Sequence, residues 1–314
     1  MDKKKNNNLP TPANEGIQAY LDRVKAKYER TMVEQAKETA AEVHREIGSA
    51  PEQQWLPFAP MPTDMCRVSP FFPIARSQLG ELPFIRDMVI TKSSWGQITY
   101  TGPKLSIYEE DVLLAVLALL KSADNRQETE VEGKTTYTYQ GPLAPILRLI
   151  GLSKSGQNYK RTVKALELMT VAGVRLEQKN GRRIMKSMLA VADWNDKKKE
   201  LTVTVNPYFF EMYMSGSVTM LDVLIRSQIN SPIAKSLYRF IQSHRDKSWQ
   251  GHFLTLAAAL NLNMEQPPKQ IKRQVKNAIA LLVKMDLLEP ASGIKGDIVK
   301  LVSPRNPKKE LTTG

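Results

Sequence analysis

Cysteine and histidine are scarce in this chain of 314 residues, and their scarcity excludes several kinds of site. The single cysteine, Cys66, cannot form an internal disulfide and leaves no multi-cysteine zinc centre. His44, His244 and His252 form no H-x-H or H-x-x-x-H pair, so we expect no histidine metal site. A nuclease or a nicking enzyme needs clustered ligands of this kind, and the sequence therefore predicts neither.

The sequence also lacks the marks of an ATPase, of a secreted protein and of a membrane protein. It contains no G-x-x-x-x-G-K-S/T loop that would cradle a nucleotide. No apolar run approaches the roughly 20 residues that span a bilayer, and residues 1–8 lack the apolar core of a secretory signal. We therefore expect a cytoplasmic protein that is not an enzyme, needs no cofactor or metal, and does not enter a membrane.

Acidic residues are scarce in the second half of the chain. Residues 1–140 hold 17 of the 45 basic residues and 19 of the 32 acidic ones, so residues 141–314 hold 28 and 13. The net charge of +13 therefore divides into −2 and +15. A phosphate backbone favours such asymmetry, because each neutralised phosphate releases condensed counterions. Solubilising charge on helix surfaces would explain either basic helix described below, but less well both of them.

The C-terminal region has the order of a winged helix-turn-helix. Residues 252–262 predict a short apolar helix, residues 263–268 a turn, and residues 269–288 a second helix with one buried stripe. A turn and a strand over residues 291–302 complete a hairpin, the wing. The second helix, which we call a recognition helix, can enter a major groove while the wing approaches the backbone. The candidate DNA-binding residues of this module are Lys269, Gln270, Lys272, Arg273, Lys276 and, near the wing tip, Lys295.

The same order occurs upstream. Residues 143–152 predict the short helix, residues 153–156 the turn, and residues 158–174 the recognition helix, with Val163, Leu166, Met169 and Thr170 on its inner face. Asn180-Gly181 is a strong hairpin signal, so residues 174–185 predict the wing. The candidate DNA-binding residues are Asn158, Lys160, Arg161, Lys164, Arg182, Arg183 and Lys186.

These modules organise the chain. We predict an α+β protein with two tandem winged-helix domains, over residues 84–205 and 206–302, and a disordered tail over residues 303–314. A flexible N-terminal extension over residues 1–83 precedes them. In it a disordered start is followed by a charged helix over residues 16–47 and by an irregular connector over residues 48–83 that holds seven of the 19 prolines.

Within the first domain, strands are predicted at residues 87–91 and 98–100, and a loop at residues 124–133. Ser106 and Glu109 have the spacing of a capping box, which opens an apolar helix. We interpret the acidic run Glu109-Glu110-Asp111 as favouring the dipole of that helix. Residues 231–244 begin with Ser-Pro and predict the first helix of the second domain. The aromatic run at residues 208–213 favours packing at the joint between domains over stacking on unwound bases.

Three features together resemble a known family. They are the run Ile98-Thr-Tyr-Thr-Gly102 before a capped helix, the tandem winged helices, and Phe240-Ile-Gln-Ser-His-Arg245 before the second helix-turn-helix. They are similar to the TrfA-type plasmid replication initiators and, more broadly, to the iteron-binding Rep proteins, over about residues 55–290. The resemblance implies binding to directly repeated origin sites (iterons), melting of a nearby AT-rich segment, and loading of the host replicative helicase. It also implies a monomer–dimer equilibrium in which the monomer is active.

A short peptide in the connector matches Q-x-x-L-x-F, by which bacterial replication proteins dock on the β sliding clamp. Its positions are Gln53, Leu56 and Phe58. Such a peptide needs a Gln at the mouth of a pocket, two apolar side chains that fill it, and a segment free to extend. The resemblance implies a clamp motif at this place. A chance match is the alternative, in which Trp55, Leu56 and Phe58 simply cover the first domain.

Two functions therefore stay open. The first is a plasmid replication initiator that binds tandem direct repeats in double-stranded DNA, opens the duplex, contacts the single strands and recruits the clamp and helicase. The second is a transcriptional regulator or autorepressor that uses the same two modules for occupancy alone. Opening of a duplex and docking through residues 53–58 would discriminate between them.

Overall fold

The computed structural model of the protein describes residues 58–74, 83–92, 96–120, 126–181, 183–207, 218–244 and 248–304. The predicted charged helix, the aromatic run at residues 208–213, residues 305–314 of the predicted tail and the candidates Gln53, Leu56 and Arg182 lie outside these residues. In the part of the chain that is described, no helix is long and apolar enough to cross a membrane.

The elements up to the first recognition helix alternate between short helices and antiparallel strands. In chain order they are β1 (Phe58–Pro62), α1 (Thr63–Arg67), β2 (Phe84–Lys92), β3 (Gly96–Pro103), α2 (Ile107–Leu120), β4 (Arg126–Val131), β5 (Lys134–Pro142), α3 (Ala144–Leu149) and α4 (Gly156–Val171).

Strands dominate the middle of the chain, and helices dominate the second module. The elements are β6 (Gly173–Gln178), β7 (Arg183–Ser187), β8 (Leu189–Asn195), β9 (Glu200–Val205), β10 (Val218–Asp222), α5 (Val223–Gln228), α6 (Pro232–Gln242), β11 (Ser248–His252), α7 (Phe253–Ala259), α8 (Pro268–Lys284), β12 (Gly293–Lys295) and β13 (Ile298–Val302).

Both modules have the winged-helix arrangement. In the second module α6, α7 and α8 pack beside a sheet of order β11-β13-β12. In the first module α2, α3 and α4 accompany a sheet of order β4-β5-β9-β8. The strand before the short helix pairs in each case with the last strand of the wing, and β4 is an addition at the edge. This confirms the α+β class with tandem winged helices; the division near residue 206 stays a proposal.

The wing of the first module differs from the one expected. Asn180-Gly181 does turn between β6 and β7, with Gly181 at φ +83°. That hairpin, however, belongs to a separate sheet of order β2-β3-β6-β7. The strands equivalent to the second module's wing are β8 and β9, with a tip at residues 196–199. A local turn signal identifies a hairpin but not the sheet that it joins, and this explains the error.

The predicted loop at residues 124–133 is also partly wrong. Residues 126–131 form β4, which pairs with β5 along its whole length. The chain reverses at Glu132 and Gly133, whose φ angles are +51° and +76°. Two successive residues with positive φ suit the tight turns that match the twist of a hairpin. Three glutamates in a short polar segment hid a strand that lies at the edge of its sheet and faces solvent.

The proline-rich connector is not irregular over its second part. Strand β1 pairs antiparallel with β10, and Met61, Met65, Cys66 and Phe71 are completely buried. Proline is tolerated here because β1 and β10 form a two-stranded ribbon. Each strand is then an edge strand, in which a proline can lie where no N–H group is needed for pairing. The prediction of an irregular connector is therefore wrong for residues 58–67, which form β1 and α1.

Helix α2 is the centre of the first module, and its N-terminus is capped as predicted. The Ser106 N–H and Oγ–H donate to Glu109 Oε2, both at 2.6 Å, and the Tyr108 N–H donates to Ser106 Oγ at 3.1 Å. Burial raises the pKa of the Glu109 carboxyl, although its bonds to Ser106 oppose the shift. The next two acids do more than favour the helix dipole. Glu110 and Asp111 are buried in ion pairs with arginines of α5 and α6.

Candidate nucleic-acid interface

The two recognition helices, α4 and α8, are seated by stripes of buried residues with identical spacing. Asn158 aligns with Ile271, and Met169 with Leu282. This corrects the inner face expected for α4. Thr162 and Ala165 are buried in it, whereas Val163 and Thr170, which were expected there, are only half-buried. The full stripes are Asn158, Thr162, Ala165, Leu166 and Met169 in α4, and Ile271, Val275, Ala278, Ile279 and Leu282 in α8.

The alignment also matches the outward faces. Lys160 in α4 corresponds to Arg273 in α8, and at about 100° per residue both lie opposite the buried stripe. Lys164 corresponds to Asn277. All four side chains are exposed. Each helix therefore presents a cation at the centre of its outward face, one turn after its N-terminus.

Each recognition helix contacts its own wing through the residue that precedes this cation. The Tyr159 ring lies 6.0 Å from the Trp194 ring of β8. At the corresponding place in the second module, Lys272 Nζ lies 2.9 Å from Asp297 Oδ1, just before β13. The hydrogen bond and charge of Lys272 lower the pKa of the Asp297 carboxyl. Helix and wing thus form one continuous surface in both modules.

Most of the second module's predicted residues lie on that surface. Lys269, Arg273, Lys276 and Lys295 are exposed, and Gln270 is half-buried. Lys272 is already held by Asp297, and its Nζ lies 5.6 Å from the centre of the Phe253 ring. His252 caps α7, because its Nδ1 accepts a hydrogen bond from the Leu254 N–H.

The first module departs further from expectation. Asn158 is 8% exposed and donates through Nδ2 to the Ser153 carbonyl at 2.8 Å, so it closes the helix-turn-helix turn from inside. Its selection as a DNA-contacting residue is wrong. The guanidinium of Arg161 lies over the Tyr108 ring, 4.6 Å from its centre. Lys160 and Lys164 stay exposed, although Lys164 Nζ lies 3.4 Å from Glu167.

The cations of the β6–β7 hairpin belong to a different sheet from the β8–β9 wing. Arg183 is exposed and bonds to Glu177 at 2.6 Å, and the Lys186 ammonium forms an ion pair with Glu132 of the β4–β5 turn. Because this hairpin belongs to the β2-β3-β6-β7 sheet, its predicted role as the wing of the first module is wrong.

The tip of the first module's true wing is a basic turn that the sequence analysis missed. Lys197 and Lys198 donate their backbone N–H groups to Asn195 Oδ1, both at 3.1 Å. Lys199 has φ +54° and bonds to Asp196 at 2.7 Å. That hydrogen bond lowers the pKa of Asp196, and the charge of Lys160 adds to the shift. The signal was available, since Asn-Asp followed by three lysines favours an exposed basic turn.

Of the peptide matched to the clamp motif, the structure describes Phe58. This residue begins β1, its Cα pairs with that of Asp222, and its side chain is half-buried. Among the residues with described coordinates, no group of three or more His, Cys, Asp or Glu side chains could hold a metal ion.

Comparison with known proteins gives a family match and a fold match. Residues 97–242 match the family model described as "Initiator Replication protein, WH1". No curated protein matches. A crystal structure of domains 2 and 3 of RctB covers 78% of this chain and 99% of its own, with 11% identity and a TM-score of 0.51, which indicates a shared fold.

Two further solved structures are more distant. A second RctB structure of domains 2–3 has 13% identity, covers 77% of this chain and 97% of its own, and has a TM-score of 0.48. The Pi initiator protein in complex with iteron DNA has 13% identity, covers 63% of this chain and 91% of its own, and has a TM-score of 0.45.

Proposed function

We propose that this protein, whose residues 97–242 match the family model for the WH1 domain of initiator replication proteins, binds tandem direct repeats at a plasmid origin through both of its winged helices. The observation that carries the proposal is the matched pair of helix–wing surfaces. Lys160 and Arg273 project from equivalent positions, and basic side chains occupy both wing tips. This arrangement can place a helix in a major groove and a wing on the flanking phosphates twice within one chain.

The presence of two modules in one chain determines the kind of site. A single-module protein reaches two half-sites by forming a symmetric dimer, which requires a palindrome. Here the two modules differ in sequence and follow each other in the same chain, so one molecule reads an asymmetric element. Repetition of that element in one orientation gives direct repeats.

Opening of the duplex and recruitment of the host machinery belong to the same proposal. Strain in repeat-bound DNA would favour melting of an adjacent AT-rich tract, whose single strands the protein then contacts. Residues 53–58 would dock on the β sliding clamp, and the replicative helicase would load at the opened tract. Docking requires the first pair of β1, between Phe58 and Asp222, to open, because the Phe58 side chain must enter the clamp's pocket.

The experiment uses a supercoiled plasmid that carries the region encoding this protein. Nuclease protection locates the bound sites, and permanganate locates unpaired thymines. Protected direct repeats beside a reactive AT-rich tract are the expected result. Protection over a promoter without reactive thymines would instead assign a transcriptional regulator, and Arg273→Ala protein serves as the control for specific binding.

A further inference from the structure

A buried cluster of five charges joins α2 to α5 and α6. Helix α2 packs against the first recognition helix, α4, and α6 packs against the second, α8. Glu110 accepts hydrogen bonds from two arginines, Arg226 at 2.7 Å and Arg239 at 2.6 Å. Asp111 accepts from Arg226 at 2.6 Å and pairs with Lys235 at 2.5 Å. The Glu110, Arg226 and Arg239 side chains are at most 1% exposed, and Asp111 and Lys235 are 10% and 13% exposed.

The signs of these charges are divided between α2 on one side and α5 and α6 on the other. Both acids lie on α2, the first helix of the first module, whereas the three cations lie on α5 and α6. Each acid therefore finds its buried partners across the joint rather than in its own helix. Burial by itself would lower the pKa of the Arg226 guanidinium, but the charges of Glu110 and Asp111 outweigh it and raise that pKa above the usual value.

The segment that precedes the first module spans the same joint. The Arg239 Nε–H donates to the Cys66 carbonyl at 3.1 Å, and Asn261, at the end of α7, donates to the Phe71 carbonyl at 3.3 Å. One residue later the Phe72 N–H donates to the Leu105 carbonyl at 2.8 Å, immediately before α2. Residues 66–72 thus bond to both modules beside the ion cluster.

We propose that the cluster of Glu110, Asp111, Arg226, Lys235 and Arg239 is a ruler that fixes the distance and the rotation between the two recognition helices. This inference rests on the proposed function, and it adds that the spacing of the two half-elements in each repeat is set by these five side chains. They are positioning residues that touch no DNA.

The geometry of arginine explains why this cluster constrains rotation as well as distance. A guanidinium donates in a plane along fixed directions, and Glu110 receives one such donor on each of its two oxygens. A rotation of one module against the other would break at least one of these bonds and leave a charge buried without its partner. An apolar joint of the same size tolerates sliding, because apolar contacts have no direction.

A fixed joint has a consequence on DNA. The face of a B-form major groove turns through a full circle in about 10–10.5 base pairs, so an insertion of about 5 base pairs places the second half-element on the opposite side of the duplex. A rigid protein cannot follow that rotation and loses the DNA contacts of one module. A protein with a loosened joint can rotate one module relative to the other, and both modules then keep their DNA contacts.

The first test measures the joint without DNA. Spin labels are placed on Glu167→Cys and Ala280→Cys, two exposed positions on the outward sides of α4 and α8. Cys66 is completely buried and its thiol pKa is raised by burial to about 12, so it is not labelled. Pulsed electron resonance on the full chain should give one narrow distance distribution, which broadens in the Glu110→Gln/Arg239→Met variant.

Variants of graded severity keep this test decisive. If the double variant does not fold, two milder variants replace it. Lys235→Met removes one peripheral ion pair, and Arg239→Lys keeps the positive charge but loses the planar donor geometry of the guanidinium. Both should broaden the distribution by less than the double variant does. Val275→Ala, within the core of the second module, is the matched control: it lowers the melting temperature but should leave the distribution narrow.

The second test measures binding to a synthetic duplex that carries one footprinted repeat, with and without 5 inserted base pairs. For the native protein we expect the insertion to raise Kd at least about tenfold, and for the double variant a smaller penalty. A broad distribution in the native chain, or equal penalties in both proteins, would overturn the ruler while leaving repeat binding intact. Absence of any bound repeat would overturn the proposed function, and the ruler with it, whatever the distances.

Discussion

Lys160 and Arg273 occupy the same position on two different recognition helices, each directly after the residue that contacts the wing. Tyr159 meets Trp194 in the first module, and Lys272 meets Asp297 in the second. The equivalence follows from the identical spacing of the buried stripes and not from sequence identity, since the two helices share few residues. In the proposed complex with DNA, each module places one cation at the point where its helix first enters a groove.

Replacing Arg273 should reduce sequence discrimination more than replacing Lys160. An arginine can donate two hydrogen bonds to a guanine edge, and such a contact contributes about 1–3 kcal/mol of discrimination, whereas a lysine binds as a point charge. The measurement is the ratio of Kd on the footprinted repeat to Kd on random DNA, for Arg273→Ala and Lys160→Ala. Equal loss on both DNAs for Arg273→Ala would show that it contacts backbone alone.

Substitution of Lys198 should weaken binding on all DNA sequences, whereas substitution of Lys186 should not. Lys198 is exposed at the tip of the β8–β9 wing, and Lys186 is paired with Glu132 on the other sheet. Removal of one phosphate contact lowers the slope of log K against log salt by about 1. A titration in salt for Lys198→Ala and Lys186→Ala measures this directly, and a larger slope change for Lys186→Ala would restore the hairpin at Asn180-Gly181 as the wing.

Asn158→Ala should lower stability and leave DNA discrimination unchanged once the protein is folded. Asn158 donates to the Ser153 carbonyl inside the turn before α4. Loss of a buried hydrogen bond of this kind costs about 1 kcal/mol, or up to about 3 kcal/mol if the acceptor is left unsatisfied. Urea unfolding gives the stability, and binding measured well below the midpoint gives the affinity. A changed base preference in the folded variant would contradict the structural role.

The stability of the first module should depend on pH through Glu109. Burial raises its pKa in the folded state above the ordinary 4.5, so the folded chain holds this proton more strongly than the unfolded chain does. The contribution of Glu109 is therefore most favourable below pH 4.5 and is lost as pH rises through its folded pKa. Glutamine preserves a capping box, so Glu109→Gln should flatten this part of the profile of unfolding free energy against pH. An unchanged profile would exclude the assignment.

Local signals in the sequence were sufficient to predict the elements that later proved equivalent in the two modules. The capping box at Ser106 and Glu109, the Ser-Pro start of α6 and the apolar periodicity of α8 each depend on residues within a few turns of one another. The inner face of α4 was less predictable because a polar pair, Asn158 and Thr162, is buried in it. A periodicity built from apolar residues passes over such positions.

The sequence does not predict which strands and which charged residues pair when they lie far apart along the chain. Nothing near Asn180-Gly181 indicates that β6 pairs with β3 rather than with the strands beside α4. Likewise, nothing near Pro60 indicates a partner at β10, well over a hundred residues later in the chain. The acids of α2 were understood as helix-end charges because their partners, Arg226, Lys235 and Arg239, lie far along the chain. The basic turn at residues 196–199 has a local signal, but that signal does not show that its hairpin joins the sheet beside α4.

The proposed function requires one chain to read one asymmetric repeat with both modules. Hydroxyl-radical footprinting of a single repeat, combined with the mass of the complex, measures whether it does. We predict one protein molecule per repeat and two protected patches about one helical turn apart, of which Arg273→Ala removes one and Lys160→Ala weakens the other. Two molecules on an inverted repeat, or one patch unaffected by Lys160→Ala, would contradict it.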